Sequence, residues 1–437
     1  MSTPASPEIT WWTPELRSWL DVASREAGFV VAGIASVPDL RDRAAAQRFS
    51  DWVDRGRAGE MEYLKRRDES GALVRGSVST AFPWARSVIV CAIDYSSVSA
   101  RSIDSAPSTA GWIARYAWSG YATENGETDP ADYHEDMISR LRRIESGLLG
   151  QAACETRCYV DTGPLVERAV ASDAGIGWIG KNTCLINQQL GSWLLLGVIL
   201  TSLPVQAESM NAEGAASLFA VPAADRCGSC TRCIDACPTG ALLGSHSAMA
   251  AREMDASRCI AYLTIEKKGE IAEELRAPIG RNIFGCDICQ EVCPWNAKAA
   301  ARPAVNAIAQ SSRSETMKLP AMRPRDELVN PEFEWLVRMN SREFRRWFRG
   351  SPLERTGRKR LLRNIAIAMG NSGEARFLPI LDKLTEEHRA AHPNDLAIRN
   401  AVLWAREQIL ARQDVRGRQP AQESGPNCGS GEPESVC

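Results

Sequence analysis

The stretch CGSCTRCIDACPTGA, Cys227–Ala241, decides how this chain is read. It spaces four cysteines as Cys227-x2-Cys230-x2-Cys233-x3-Cys237-Pro238. A second stretch, GCDICQEVCPWN, repeats the end of that pattern as Cys286-x2-Cys289-x3-Cys293-Pro294, and Cys259 stands alone between the two. In bacterial ferredoxin-type runs three close thiolates grip one 4Fe–4S cube while the fourth cysteine ligates the other cube. That rule places Cys227, Cys230, Cys233 and Cys293 on one cluster. Cys237, Cys259, Cys286 and Cys289 then hold the second, with Cys259 replacing the first member of its run. A pair of clusters so arranged passes single electrons, so the protein is expected to handle electrons. Two zinc sites would also consume eight thiolates, but zinc modules favour separated Cys-x2-Cys pairs. Disulfides would need an oxidising compartment. The opening MSTPASPEITWWTPELR has no basic start, apolar core or twin-arginine pair, and the longest apolar run, Trp193 to Leu200, is too short to span a bilayer. The expectation is a soluble, cytoplasmic protein with reduced thiols and no membrane contact.

Working outward from the cysteines, the 437 residues suffice for roughly two to four domains, and the net charge of −2 gives no global sign of nucleic acid. The fold class expected is an α/β domain over 1–205, a ferredoxin-like two-cluster domain over 206–301 and a C-terminal all-α, HEAT-like domain over 327–412, with a disordered tail over 413–437. In the first unit Thr13-Pro14 opens a helix that Gly28 closes. Phe29 to Ile34, Val88 to Tyr95 and Ser192 to Leu200 read as strands, and Asp132 to Leu149 as a helix with Met137, Leu141, Ile144 and Leu148 on one face. A short strand ends at Asp161 and a helix follows from Leu165 to Ala174. Such alternation predicts a mixed sheet covered by helices. Loop-like composition from Pro204 to Arg226 and from Arg302 to Asp326 separates the units. Three helical patterns, Lys359 to Met369, Glu374 to Glu386 and Asp395 to Arg412, suggest paired helices of the HEAT type.

Chemistry outside the cysteines is concentrated in two places. SREFRRWFRGSPLERTGRKRLLR, from Ser341 to Arg363, carries nine Arg or Lys against two Glu, with Phe344, Trp347 and Phe348 interleaved. It reads either as a solvated helix face or as a phosphate-binding strip. The block YVDTGPLVERAVASDAGIGWIGKNTCLIN, Tyr159–Asn187, sets Asp161 at a strand end and follows it with a glycine-rich segment. Strand ends hold ligands in α/β units, and glycines let backbone approach a planar cofactor. Equally, Asp161 serves as a helix cap and the glycines as turns. No G-x-G-x-x-G follows a strand, no Walker lysine is present, and His134, His246, His388 and His392 are too scattered for a histidine metal centre.

Taken together, GEMEYLKRR (Gly59–Arg67), DYH (Asp132–His134), VDTGPLVERAVASDAGIGWIGKNT (Val160–Thr183), GSWLLLG (Gly191–Gly197), the cysteine runs and LLRNIAIAMGN (Leu361–Asn371) resemble the epoxyqueuosine reductase family over about residues 12 to 410. The resemblance implies a cobalamin-binding α/β domain related to reductive dehalogenases, base-off cobalamin, two 4Fe–4S clusters and a tRNA-binding helical end. It implies reduction of the epoxide of epoxyqueuosine at the tRNA wobble position to queuosine, with electrons from an external one-electron donor. A monomer is the default expectation, since no heptad or extended apolar stripe marks a dimer seam. On this resemblance Asp161 matches the proton donor, and its role requires apolar surroundings that keep it protonated. Arg66, Leu185, Leu196, Ala261, Leu275, Cys286 and Asp287 match cobalamin contacts. Ala261 stands where serine is expected, which leaves only backbone contact there. Arg355, Arg358, Lys359, Arg360 and Arg363 are the phosphate contacts expected for tRNA. The longer stretches Trp118 to Pro130 and Leu242 to Ser257 are candidates to shape the substrate mouth. A reductive dehalogenase would share corrin and clusters, and a bare electron-transfer module would leave about two hundred N-terminal residues without a role.

Overall fold

The computed structural model describes residues 10–37, 40–123, 125, 128–205, 223–244, 252–301, 322–391 and 395–418. Most of both expected linkers and the tail past 418 lie outside these. Thr13 caps the first helix, α1 (Pro14–Glu26), by accepting from Leu16 N at 3.2 Å, and Pro14 sits in the first turn where its missing N–H costs nothing. The chain then forms β1 (Val31–Ser36) and β2 (Ser87–Asp94), followed by a hairpin of β3 (Ser119–Ala122) and β4 (Thr128–Pro130). Helix α2 (Tyr133–Leu149) follows, capped by Asp132, then β5 (Thr156–Tyr159), α3 (Glu167–Asp173) and β6 (Leu194–Thr201).

The main sheet has the order β1-β2-β6-β5 and every pairing in it is antiparallel. A mixed sheet was the expectation from alternating strands and helices. The β1–β2 and β5–β6 connections reverse the chain, while β2 and β5 run the same way but are separated by β6, so no two neighbouring strands are parallel. Both faces are covered, which accounts for the unbroken apolar runs. Ile89 and Cys91 pack with Leu16 and Leu20 of α1 and Met137, Leu141 and Ile144 of α2. Val88, Val90 and Ala92 face the other way, onto Val170 and Ala171 of α3.

The cysteine-rich unit is tied to this layer by a strand, Asn282–Phe284, which pairs in parallel with Trp112–Ile113. Beyond it come β7 (Met322–Pro324), which joins the β3–β4 hairpin, and then α4 (Ser341–Phe348), α5 (Gly357–Ser372), α6 (Leu378–Ala391) and α7 (Leu396–Arg418). Helix α7 runs through 413–418, where a disordered tail was expected to begin. Stretch 118–130 turns out to be structural: it is largely the hairpin that β7 completes. The cysteine unit and the terminal helices are not separate cores. Ile260, Leu263, Ile283 and Phe284 share one cluster with Leu361, Ile365, Met369, Ile398 and Val402. Helices α5 and α7 pack closely because position 370 is glycine; a Cβ there would lie 2.6 Å from Ala405 Cα.

Arg363 is the hinge pin of this shared core, not a phosphate ligand. It is 1% exposed, and its guanidinium donates to the carbonyls of Leu263 (2.7 Å), Lys267 (2.9 Å) and Gly269 (2.6 Å). Asn364 beside it bonds Thr264 O and Ile283 O. Burial lowers the Arg363 pKa to about 10, which still leaves it charged at neutral pH. Phe344 and Phe348, expected on a binding strip, are buried in the same cluster. Among the described residues no helix is long and apolar enough to cross a membrane. Arg363→Met strands three buried carbonyls, so a loss of about 3 kcal/mol is expected. It reads out as a lower thermal midpoint, with the salt dependence of RNA binding unchanged.

Candidate functional site

A cavity of about 840 Å³ opens where the end of the sheet, the cysteine unit and the start of the helical end converge. Its lining is mainly apolar, with Leu194, Leu196, Tyr116, Ile260 and Phe284 among the contributors. Cys237, Cys259, Cys286 and Cys289, the set assigned to the second cluster, all face it. Cys227, Cys230, Cys233 and Cys293 do not line it. They gather farther out, where Cys293 packs with Cys227, Trp178 and Ile186. Burial, together with the thiols of Cys293, Cys227 and Cys230 beside it, pushes the Cys233 thiol up to about 12. Burial likewise raises Cys286 well above the usual thiol range, with Cys259 and Cys237 as near neighbours. Cys293 thus lies near the first run, and Cys237 near Cys259 and Cys286. Among the described residues no three such side chains converge tightly enough for a single metal ion, whereas a cube takes its thiolates on separate corners.

Asp161 lines the same cavity, just beyond β5. Its φ of 55° is left-handed, a conformation aspartate tolerates better than most residues. Three contacts hold it there. Its N–H donates to Glu167 Oε1 at 2.7 Å, the Tyr133 hydroxyl donates to its Oδ2, and His134 Nε2 lies 3.4 Å from that oxygen. His134 in turn meets Asp132 Oδ1 through Nδ1 at 2.5 Å. Half of the Asp161 side chain remains open to the cavity.

This arrangement corrects the expectation of a protonated Asp161. Burial favours the neutral acid, but the bonds from His134, Tyr133 and Glu167 outweigh it and hold Asp161 well below the usual carboxylate range. Its neighbour Glu167 is pushed well above by burial and by the Asp161 charge, so the proton of that pair resides on Glu167. His134 is raised in spite of burial, because Asp132 and Asp161 both favour its cation.

Of the seven expected corrin contacts, Leu196, Ala261, Cys286 and Asp287 line the cavity. Leu185 and Leu275 are turned into neighbouring core clusters, and Arg66 lies outside the lining. The glycine-rich segment faces away too. A Cβ on Gly177 or Gly180 would strike Ile186, so these glycines pack the loop onto the next turn of chain. Stretch 242–257 does reach the cavity through Leu242, Met254 and Ala256; its residues 245–251 lie outside the described ones.

The expected phosphate ligands are engaged internally. Arg358 donates to Met339 O, Arg360 to Thr356 O and Ile265 O, and Lys359 pairs with Asp395. Arg355 turns into the cavity, donates to Asp132 Oδ2 at 3.2 Å and lies against His134. The sequence reading missed His134, Tyr133 and Glu167 as partners of Asp161, though all sit inside the DYH and VDTGPLVER blocks. It missed Cys184 as well, a thiol in the cavity lining that bonds with Cys289.

Residues 226–296 match the family described as a 4Fe-4S double cluster binding domain, and residues 75–162 match that described as epoxyqueuosine reductase QueG. An epoxyqueuosine reductase of Xanthomonas campestris pv. campestris is 34% identical over 88% of this chain and 94% of its own length. That of Pseudomonas aeruginosa is 34% identical over 91% of this chain and 95% of its own. The chain belongs to the epoxyqueuosine reductase family. A crystal structure of an epoxyqueuosine reductase with an epoxyqueuosine-modified tRNA-Tyr stem loop superposes with a TM-score of 0.67 at 27% identity, covering 94% of this chain and 96% of that one. Within the family's double-cluster domain, Cys259→Ala and Cys293→Ala should each lose about half of the bound iron and sulfide, from different clusters. Cys184→Ala should keep the full complement, as measured by iron and sulfide assay of anaerobically purified protein.

Proposed function

We propose that this protein reduces the epoxide of epoxyqueuosine in tRNA to the alkene of queuosine, as an oxidoreductase of the epoxyqueuosine reductase family. The observation that carries the reading is one cavity with an electron-supplying wall and a proton-supplying wall. Cys237, Cys259, Cys286 and Cys289 form the first, and Asp161 with its partners forms the second. Electrons would enter singly from an external carrier at the outer cysteine set and move to the inner one.

The size and mainly apolar lining of the cavity suit a bulky planar group, and Leu196, Ala261, Cys286 and Asp287 are the residues that would hold a corrin there. Cobalamin, base-off as the family resemblance implies, would supply a low-valent metal that drives C–O cleavage, a task beyond side chains. Asp161 then delivers a proton to the departing oxygen, and its left-handed backbone keeps the carboxylate directed into the cavity. The wobble base must leave its stack to enter, received by aromatic and backbone groups at the mouth.

Phosphate contacts fall to the helical end, read here as HEAT-like. The cations left free are those of α4 and its end: Arg342, Arg345, Arg346 and Arg349 are exposed and have no acidic partner among the described residues. This moves the strip toward the N-terminal half of the basic stretch. Reduced thiols and soluble tRNA both suit a cytoplasmic monomer.

Asp161→Asn should retain clusters and corrin yet lose turnover by about 10²–10⁴-fold, read as conversion of epoxyqueuosine-containing tRNA by nucleoside mass spectrometry. Near-normal conversion by that variant removes the assignment of Asp161. Changing Arg342, Arg345 and Arg346 together to Gln should reduce the salt slope of tRNA binding by about one for each arginine–phosphate pair removed. An unchanged slope returns them to the class of solvated helix charges.

A further inference from the structure

Taking an epoxide oxygen away as water requires two electrons and two protons. Both C–O bonds break, the two carbons become an alkene, and the oxygen departs as H₂O. Asp161 is the one acid directed at that oxygen in the proposed function, on which this inference rests. A single carboxyl group gives one proton, and here it holds none at rest. Something beside it must load it twice per turnover.

Three neighbours reach it. The Tyr133 hydroxyl donates to Asp161 Oδ2, but burial and the Asp161 charge raise its pKa well above the usual phenol range, so it keeps its proton. Glu167 bears a proton, but its Oε1 is occupied by the Asp161 N–H and its side chain is buried. Once Asp161 had passed that proton on, two carboxylates would stand face to face, one of them buried, which the surroundings oppose. His134 is different. Its Nδ1 is bonded to Asp132 Oδ1 at 2.5 Å while Nε2 lies 3.4 Å from Asp161 Oδ2. This is the carboxylate–imidazole–acceptor order that orients a histidine for proton transfer through its far nitrogen.

We infer that His134 is the residue that recharges Asp161, passing the Nε2 proton to Asp161 Oδ2 before each of the two protonations of the departing oxygen. In each transfer the His134 N–H bond breaks and the Asp161 O–H bond forms. Asp161 then gives that proton to the oxygen, and the neutral imidazole recovers one from solvent. His134 acts through Asp161 in this cycle, so it is a positioning and proton-supplying residue.

The charges around it support the cycle. His134 faces Asp132 and Tyr133 from its own end of α2, Asp161 from the loop after β5, and Arg355 from the turn before α5. Arg355 opposes the cation, and the two carboxylates favour it. Their balance raises the His134 pKa above that of a free imidazole, which favours the cation beside Asp161. Asp161 itself faces Tyr133, Glu167 and Arg75 besides. Activity that needs the imidazolium is present below the raised His134 pKa and fades as pH rises through it.

The test is single-turnover reduction of an epoxyqueuosine-containing tRNA stem loop by cluster- and cobalamin-loaded protein across pH. In wild type the rate should fall on an alkaline limb. His134→Gln should be slower by about tenfold or more at neutral pH, with iron content unchanged and that limb absent. Asp132→Asn, which retains a cap for α2, should move the limb to lower pH. His134→Gly should recover rate with added imidazole. A competent wild type alongside a His134→Gln protein of equal rate and unaltered profile overturns the inference alone. So does a slow His134→Gln whose limb persists, joined to a His134→Gly that imidazole fails to restore. Wild-type protein that leaves the epoxide intact overturns the functional reading itself.

Discussion

The crossing of the two cysteine runs is the constraint on which the molecule turns. Because Cys293 returns to the set of Cys227 while Cys237 joins Cys286 and Cys289, neither run can complete its own site. The segment between them, including Cys259, must therefore fold back into one compact unit. Its inner set is delivered to a cavity wall and its outer set is kept away from that cavity. The parallel pairing of Asn282–Phe284 with Trp112–Ile113 then fixes that wall against the sheet domain. The inner cysteine set and Asp161 are brought to one cavity by these two ties.

The helical end takes part in the same construction. Arg363 and Asn364 satisfy carbonyls of 263–269 and 283 that would otherwise be orphaned in a dry core. A buried arginine is tolerated there because several acceptors share its charge. One consequence is that Arg355, a few residues before it, is carried to the cavity mouth beside Asp132 and His134. The basic helix α4 and the surroundings of Asp132 and His134 are thus joined by a few residues of chain.

Local chemistry was legible in the sequence. Thr13-Pro14 and the apolar face of α2 announced their helices, and the cysteine spacing announced a double-cluster domain, since each follows from short-range rules. Strand direction was not legible, because antiparallel and parallel sheets covered on both faces present the same apolar runs. The basic stretch misled for a similar reason. Composition counts Arg363 and Arg346 alike, yet one donates to backbone carbonyls in the core and the other faces solvent. Only the helix phase and the position of 263–269 separate them, and that segment lies far back along the chain.

The protonation of Asp161 shows where reasoning from one residue stops. An isolated aspartate in an apolar pocket is rightly expected to be neutral. This one has a tyrosine hydroxyl and a histidine at its carboxylate and a neutral glutamic acid behind its backbone, drawn from two separate stretches of sequence. Hydrogen bonding to the anion then competes with desolvation and prevails. The carboxylate is thereby favoured in its charged form, despite the surrounding burial. The left-handed backbone at Asp161 belongs to the same logic. A relaxed conformation would free the loop to turn away, and the Glu167 carboxyl that accepts from its N–H offsets the strain of holding it in place.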